Sequence, residues 1–189
     1  MRQSRNLAPV SIEITRPVTS MGARGLLGAG FDITPDHPDY LSMRDEFLAL
    51  YEQNLCRNTR LFPGMPELVD ALEMRGLKWG IVTNKAERFA KPLLDLLHLG
   101  NRTACVIGGD TTGKLKPHPD PLLAASRVIA IVPGACVYVG DDQRDIEAGR
   151  AAGMKTVAVT YGYLNGSTPA DWGADAVIGH PQELLDHLG

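Results

Sequence analysis

Hydrophobic and polar positions change their rhythm near residue 60. Upstream, "SMGARGLLGAGF" (20–31) and "PDYLSMRDEFLALYEQNLCRN" (38–58) carry apolar residues at helical spacing, separated by the turn-rich "DITPDHP". Val10, Ile12 and Ile14 alternate as a short strand would, but Glu13 between them does not suit a strand buried on both faces. "LFPG" at 61–64 marks a boundary. Beyond it, helix-like and strand-like stretches take turns. "MPELVDALEMRGL" predicts a helix that Pro66 opens and Gly76 stops. "WGIVTN" reads as a short buried strand and "AERFAKPLLDLLHL" as a helix; "ACVIGGD" and "DPLLAASRVIA" repeat the pair. "CVYVGDD" and "RDIEAGRAAGM" repeat it again, and "KTVAVTYG", "DAVIG" and the helical "PQELLDHL" finish the chain. Apolar strands alternating with amphipathic helices predict an α/β fold, a Rossmann-like parallel sheet covered on both faces. The division predicted is a helical part over 1–60 and an α/β part over 61–189.

Composition narrows the function. Of 189 residues, 44% are hydrophobic, enough for a substantial core. A net charge of -3 provides no electrostatic footprint for nucleic acid or an anionic membrane. No apolar run reaches the length of a membrane span, and "MRQSRNLAPV" lacks the apolar middle of a signal peptide. Cys56, Cys105 and Cys136 are not spaced as a zinc site, and the five histidines form no metal-spaced set. The expectation is a cytoplasmic protein with neither nucleic acid nor membrane as partner.

Candidate chemistry collects at strand ends, where parallel sheets place their sites. Thr83, Asn84 and Lys85 follow "GIV"; Gly108, Gly109, Asp110 and the loop "KLKPHPDP" follow "CVI"; Asp141, Asp142 and Asp145 follow "VYVG". Three carboxylates within five positions repel one another unless something positive joins them. Carboxylate oxygens suit Mg²⁺, a hydroxyl and helix-start N–H groups suit phosphate oxygens, and a lysine neutralises phosphate charge. Each residue also has a plainer role: Thr83 as a helix cap, Lys116 as a solvated loop lysine, and the aspartates as partners of a helix N-terminus.

"GIVTNK", "KPHPDP" and "YVGDDQRDIEAGRAAGM" resemble the second, third and fourth motifs of the haloacid dehalogenase-like hydrolases, and among them the phosphoglycolate phosphatases. The resemblance runs from about Arg16 to the end, and "SMGARGLLGAGF" is similar to part of that subgroup's helical cap. It implies an Mg²⁺-dependent phosphomonoester hydrolase acting on a small phosphorylated metabolite. In that scheme Thr83 binds the transferring phosphoryl group with Asn84 beside it, and Lys116 bridges phosphate and nucleophile. Asp141 ligates Mg²⁺, Asp145 supports the metal, Asp142 assists, and Arg24 contacts the organic part of the substrate.

The family's first motif, an apolar strand ending in D-x-D-G-T, has no counterpart, since no aspartate precedes Asp32. Its first aspartate is the nucleophile that forms the aspartyl phosphate. The resemblance therefore implies a core lacking its nucleophile strand, with an incomplete N-terminal cap. Three explanations are open: a true start upstream of Met1, a truncated relative that binds phosphate or a partner without catalysis, or a gap filled by another chain or by "VSIEIT". Unpaired inner edges predict self-association.

Overall fold

The computed structural model describes residues 1–164 and 166–188. The chain divides into two compact units, Met1–Arg57 and Asn58–Gly189.

The first unit is helical. A 3-10 turn over Gln3–Arg5 precedes α1 (Ile12–Thr15), a 3-10 segment over Arg16–Met21, α2 (Gly22–Phe31) and α3 (Tyr40–Gln53). Its core is Leu27, Ile33 and Met43, with Phe31, Tyr40 and Phe47 packed around them. Arg5 pairs with Glu46, and its guanidinium lies 5.7 Å from the centre of the Phe31 ring. The alternation at 10–14 forms no strand. Thr15 N–H donates to Ser11 O at 3.2 Å, closing a helical turn, and Pro17 opens the 3-10 segment that follows. Ile12 and Ile14 are 68% and 56% exposed, so period-two apolarity here meets no sheet. "VSIEIT" therefore fills no place in a sheet.

The second unit is α/β. Its elements are α4 (Met65–Met74), β1 (Ile81–Val82), α5 (Glu87–Leu96), β2 (Val106–Ile107), α6 (Asp120–Ile129), β3 (Val137–Gly140), α7 (Gln143–Ala151), β4 (Lys155–Val159) and β5 (Ala176–Ile178). "PQELLDHL" forms a 3-10 helix over Pro181–His187 rather than an α-helix. α4 ends where Gly76 adopts φ 68°, a left-handed conformation that glycine enters without Cβ strain.

All strands run parallel, but in two sheets: β1 with β2, and β3–β4–β5. Among the described residues β1 and β3 each have a neighbour on one side only. Burial follows this in part. In β4, flanked on both sides, Thr156, Val157 and Ala158 are 0% exposed, whereas Ile81 and Val82 of β1 and Val137–Val139 of β3 are only half-buried. "GIV" is thus not the fully buried strand its composition predicts; β2 and β5 also have one neighbour each, yet Ile107 and Ile178 are 4% and 2% exposed, so burial of an edge strand depends on what covers its faces.

Alternate residues of β4 face opposite layers, as the pleat requires. Val157 and Val159 pack with Leu68 and Leu72 of α4 and with Ile178. Ala158 packs with Ile146 of α7 and with Trp172. Leu122 of α6 and Ala148 of α7 pack against Val82 on one sheet and Tyr138 on the other, so one apolar layer spans both. Among the described residues no helix is long and apolar enough to cross a membrane.

Candidate active site

The carboxyl ends of β1, β2 and β3 carry the polar residues that sequence reasoning selected. β1 runs into Thr83 and Asn84. Thr83 Oγ1 accepts a hydrogen bond from Lys85 N–H at 3.1 Å, a turn within its own loop. It does not cap α5. That work falls to Asp110, from the loop after β2, whose Oδ1 accepts from Glu87 N–H at 2.8 Å. Thr111 continues the link, donating to Glu87 Oε2 at 2.7 Å and accepting from Gly108 N–H at 3.0 Å. Asp110→Ala should lower stability by about 1 kcal/mol, the usual worth of an N-terminal helix cap, measurable by urea unfolding.

Asn84 does not stand open beside Thr83. Its Oδ1 accepts from Lys116 N–H at 2.9 Å and its Nδ2 donates to Lys116 O at 3.1 Å. The Lys116 ammonium then reaches three oxygens: Asp145 Oδ1 at 2.7 Å, Tyr138 Oη at 2.8 Å and Val82 O at 2.9 Å. The Tyr138 hydroxyl donates its own hydrogen bond to Val82 O at 3.1 Å. Two side chains thus satisfy a carbonyl on the side of β1 away from β2, and link the two sheets. Sequence reasoning missed Tyr138. Its position two residues before Gly140, in a strand otherwise aliphatic, was the available signal. Burial pushes the Tyr138 phenol well above its ordinary range, with the Asp145 and Asp141 charges adding to the effect, so it remains a neutral hydroxyl.

The three carboxylates after β3 separate into different roles. Asp142 caps α7: its Oδ1 accepts from Arg144 N–H at 2.9 Å, and the Arg144 guanidinium grips both oxygens at 2.8 and 2.6 Å. Arg144 holds the Asp142 carboxyl below its ordinary pKa. This helix-end role is the plainer one available to the cluster. Asp145, 6% exposed, is the buried carboxylate of the set. Burial pushes its pKa up, Lys116 pulls it down, and the Asp141 and Asp142 charges push it up further. Asp141 Oδ2 accepts from Tyr163 N–H at 2.8 Å, in the loop after β4, and a Cβ on Gly162 would lie 2.7 Å from Asp141 Cγ. That glycine is needed for the close approach.

Among the described residues no three His, Cys, Asp or Glu side chains form a metal-binding group. Asp142 is engaged by Arg144, and one Asp145 oxygen by Lys116. His118 accepts from Asp120 N–H at 3.3 Å at the start of α6, a structural role. Arg24 is exposed on α2 of the first unit.

A family model described as haloacid dehalogenase-like hydrolase matches residues 28–159. The N-acetylmuramic acid 6-phosphate phosphatase of Pseudomonas aeruginosa is 43% identical over 189 residues, covering 100% of this chain and 84% of that protein. The phosphoglycolate phosphatase of Xanthomonas campestris pv. campestris is 42% identical over 187 residues, covering 98% of this chain and 84% of that protein. Among solved structures, that of a predicted phosphoglycolate phosphatase from Haemophilus somnus matches with a TM-score of 0.84 at 26% identity, over 98% of this chain and 85% of that one. Matched motifs, parallel strand order and these likenesses agree: the chain belongs to the haloacid dehalogenase-like hydrolases and is a phosphatase by class.

Proposed function

We propose that the chain is an Mg²⁺-dependent, cytoplasmic phosphomonoester hydrolase acting on a small phosphorylated metabolite through an aspartyl phosphate. The observation that carries this reading is the Lys116 ammonium held 2.7 Å from Asp145 at the strand ends, with its backbone tied to the residue after Thr83.

The residues suit a hard cation in part. Asp141 Oδ1 and Asp145 Oδ2 accept no hydrogen bond from any described residue, so two carboxylate oxygens are available to a magnesium ion. When bound, the ion would neutralise charge on the phosphoryl oxygens. The chain's own groups account for the rest. The Thr83 hydroxyl accepts from Lys85, which leaves its proton for a phosphate oxygen. Lys116 supplies a positive charge beside that oxygen. Arg24 is assigned to the organic portion of the substrate. The nucleophilic aspartate belongs to a motif absent from these 189 residues.

Phosphoglycolate and N-acetylmuramic acid 6-phosphate are the substrates to test. Both should be assayed with and without Mg²⁺, on this chain and on a longer form supplying an apolar strand that ends in D-x-D-G-T. Hydrolysis of either, Mg²⁺-dependent and confined to the longer form, is expected. No hydrolysis of any small phosphomonoester by either form would overturn the proposal. In the active form Asp141→Asn should weaken apparent Mg²⁺ affinity by at least about tenfold, read from the metal dependence of the rate.

A second reading has its own observation. Among the described residues β1 and β3 are each paired on one side only, so the 189 residues alone act as a phosphate-binding or interaction protein that associates through those open edges. Light scattering would detect concentration-dependent self-association; a strictly monomeric chain up to millimolar concentration would count against it.

A further inference from the structure

We propose that Asn84 is a positioning residue for Lys116 rather than a substrate contact. A primary amide offers one donor and one acceptor side by side, and that pair matches the N–H and C=O of a single backbone residue. Asn84 uses it in this way, accepting from Lys116 N–H at 2.9 Å and donating to Lys116 O at 3.1 Å across 32 positions of chain. It therefore fixes where the Lys116 side chain begins, while Asp145, Tyr138 and Val82 fix where its ammonium ends.

The clamp has a backing. Gly109 N–H donates to Lys85 O at 2.8 Å, pressing the loop after β2 onto the residue that follows Asn84. A Cβ on Gly109 would collide with the Asn84 carbonyl oxygen, and would lie 2.8 Å from Asn84 C and 2.9 Å from Leu115 Cδ2. The glycine lets one loop lie directly on the other, next to both ends of the clamp. Neither aspartate nor serine meets both demands at position 84. Aspartate retains the bond from Lys116 N–H but turns a second acceptor toward Lys116 O, and serine is too short to reach both groups.

How Lys116 is held does not depend on any catalysis; only the purpose of holding it rests on the phosphatase reading. The test accordingly reads Lys116 directly. The full chain is acetylated with trace acetic anhydride, and Lys116 labelling is compared with that of Lys155 by peptide mass spectrometry. A maleimide reports opening around the Cys105 thiol, which is 8% exposed in the core beside Ile107 and Ala125. Asn84→Ser should raise relative Lys116 labelling about tenfold, because the paired hydrogen bonds that fix the Lys116 backbone are lost. Gly109→Ala should raise it similarly without altering the amide, and Asn84→Asp should fall between wild type and Asn84→Ser. Cys105 labelling should stay unchanged in all three. Lys116 labelling that is unchanged in both Asn84→Ser and Gly109→Ala, or that rises only in step with Cys105, would overturn the proposal. Absence of phosphatase activity would leave these rates untouched, so the two readings fail separately.

Discussion

Replacing Lys116 by methionine should lower the unfolding free energy by about 3 kcal/mol at neutral pH, because the change strands a buried carboxylate. The side chains of Lys116 and Asp145 are 11% and 9% exposed, and their 2.7 Å contact is the chief compensation for burying the Asp145 charge. Methionine keeps most of the stem's volume, so the loss is mainly electrostatic. The pH dependence separates this from a packing defect. Burial already holds the Asp145 pKa above its ordinary 3.8, and without the ammonium it rises further. Where the folded protein binds this proton more tightly than the unfolded chain, stability falls as pH increases. Relative to wild type, the variant's deficit should be smallest near pH 4 and should grow as pH climbs through the raised folded pKa, becoming complete above it. Urea unfolding at several pH values would measure this, and Lys116→Met combined with Asp145→Asn should recover most of the neutral-pH loss. A deficit independent of pH would mean that the pair matters through packing alone.

Gly140→Ala should cost about 3 kcal/mol, at the upper end of what overpacking causes, and should displace Asp145 as well. Gly140 is the last residue of β3, and a Cβ there would lie 2.5 Å from Asp145 Cγ and from its Oδ2. The obstructing atoms belong to the first turn of α7, whose residues Ile146 and Ala148 are 0% exposed, so the helix has little freedom to retreat. The strand backbone is held by its pairing with Ala158 of β4. Rotating the carboxyl leaves the contact with Asp145 Cβ in place, so relief must come from shifting the first turn of α7, which carries Asp145 away from Lys116. The variant should therefore combine lower stability in denaturant with faster acetylation of Lys116. Gly153→Ala makes a useful contrast: no heavy atom lies within 4 Å of a Cβ there, and its φ of 75° makes the cost conformational. It should destabilise without changing Lys116 labelling.

Much of the fold was legible before any coordinates. Gly76, Pro66 and the amphipathic spacing of Leu68, Val69 and Leu72 are local signals, and α4 lies where they place it. The strand–helix alternation from residue 79 onward specified parallel pairing, since parallel neighbours need a crossover between them. Local signals misled where burial depended on neighbours. Ile12 and Ile14 alternate like a strand yet form a helical turn, and Ile81 and Val82 read as buried yet lie beside an open edge.

At the site, the residue types and their placement at strand ends could be read from sequence, together with the family and its missing first motif. Which oxygen each group would bind could not. Asp141, Asp142 and Asp145 are near-equivalent in one dimension, but Arg144 takes the second, Lys116 the third and Tyr163 N–H the first. Asn84 reads in sequence as lying beside the phosphate, and only the structure shows its amide bonded to Lys116 N–H and C=O. Chain order and periodicity act over one or two turns of backbone, so they determined the elements and the strand ends at which polar groups gather. The choice of partner for each polar atom was settled only by folding, because burial makes an unpaired charge or amide costly and the partners that relieve that cost lie up to 56 residues away.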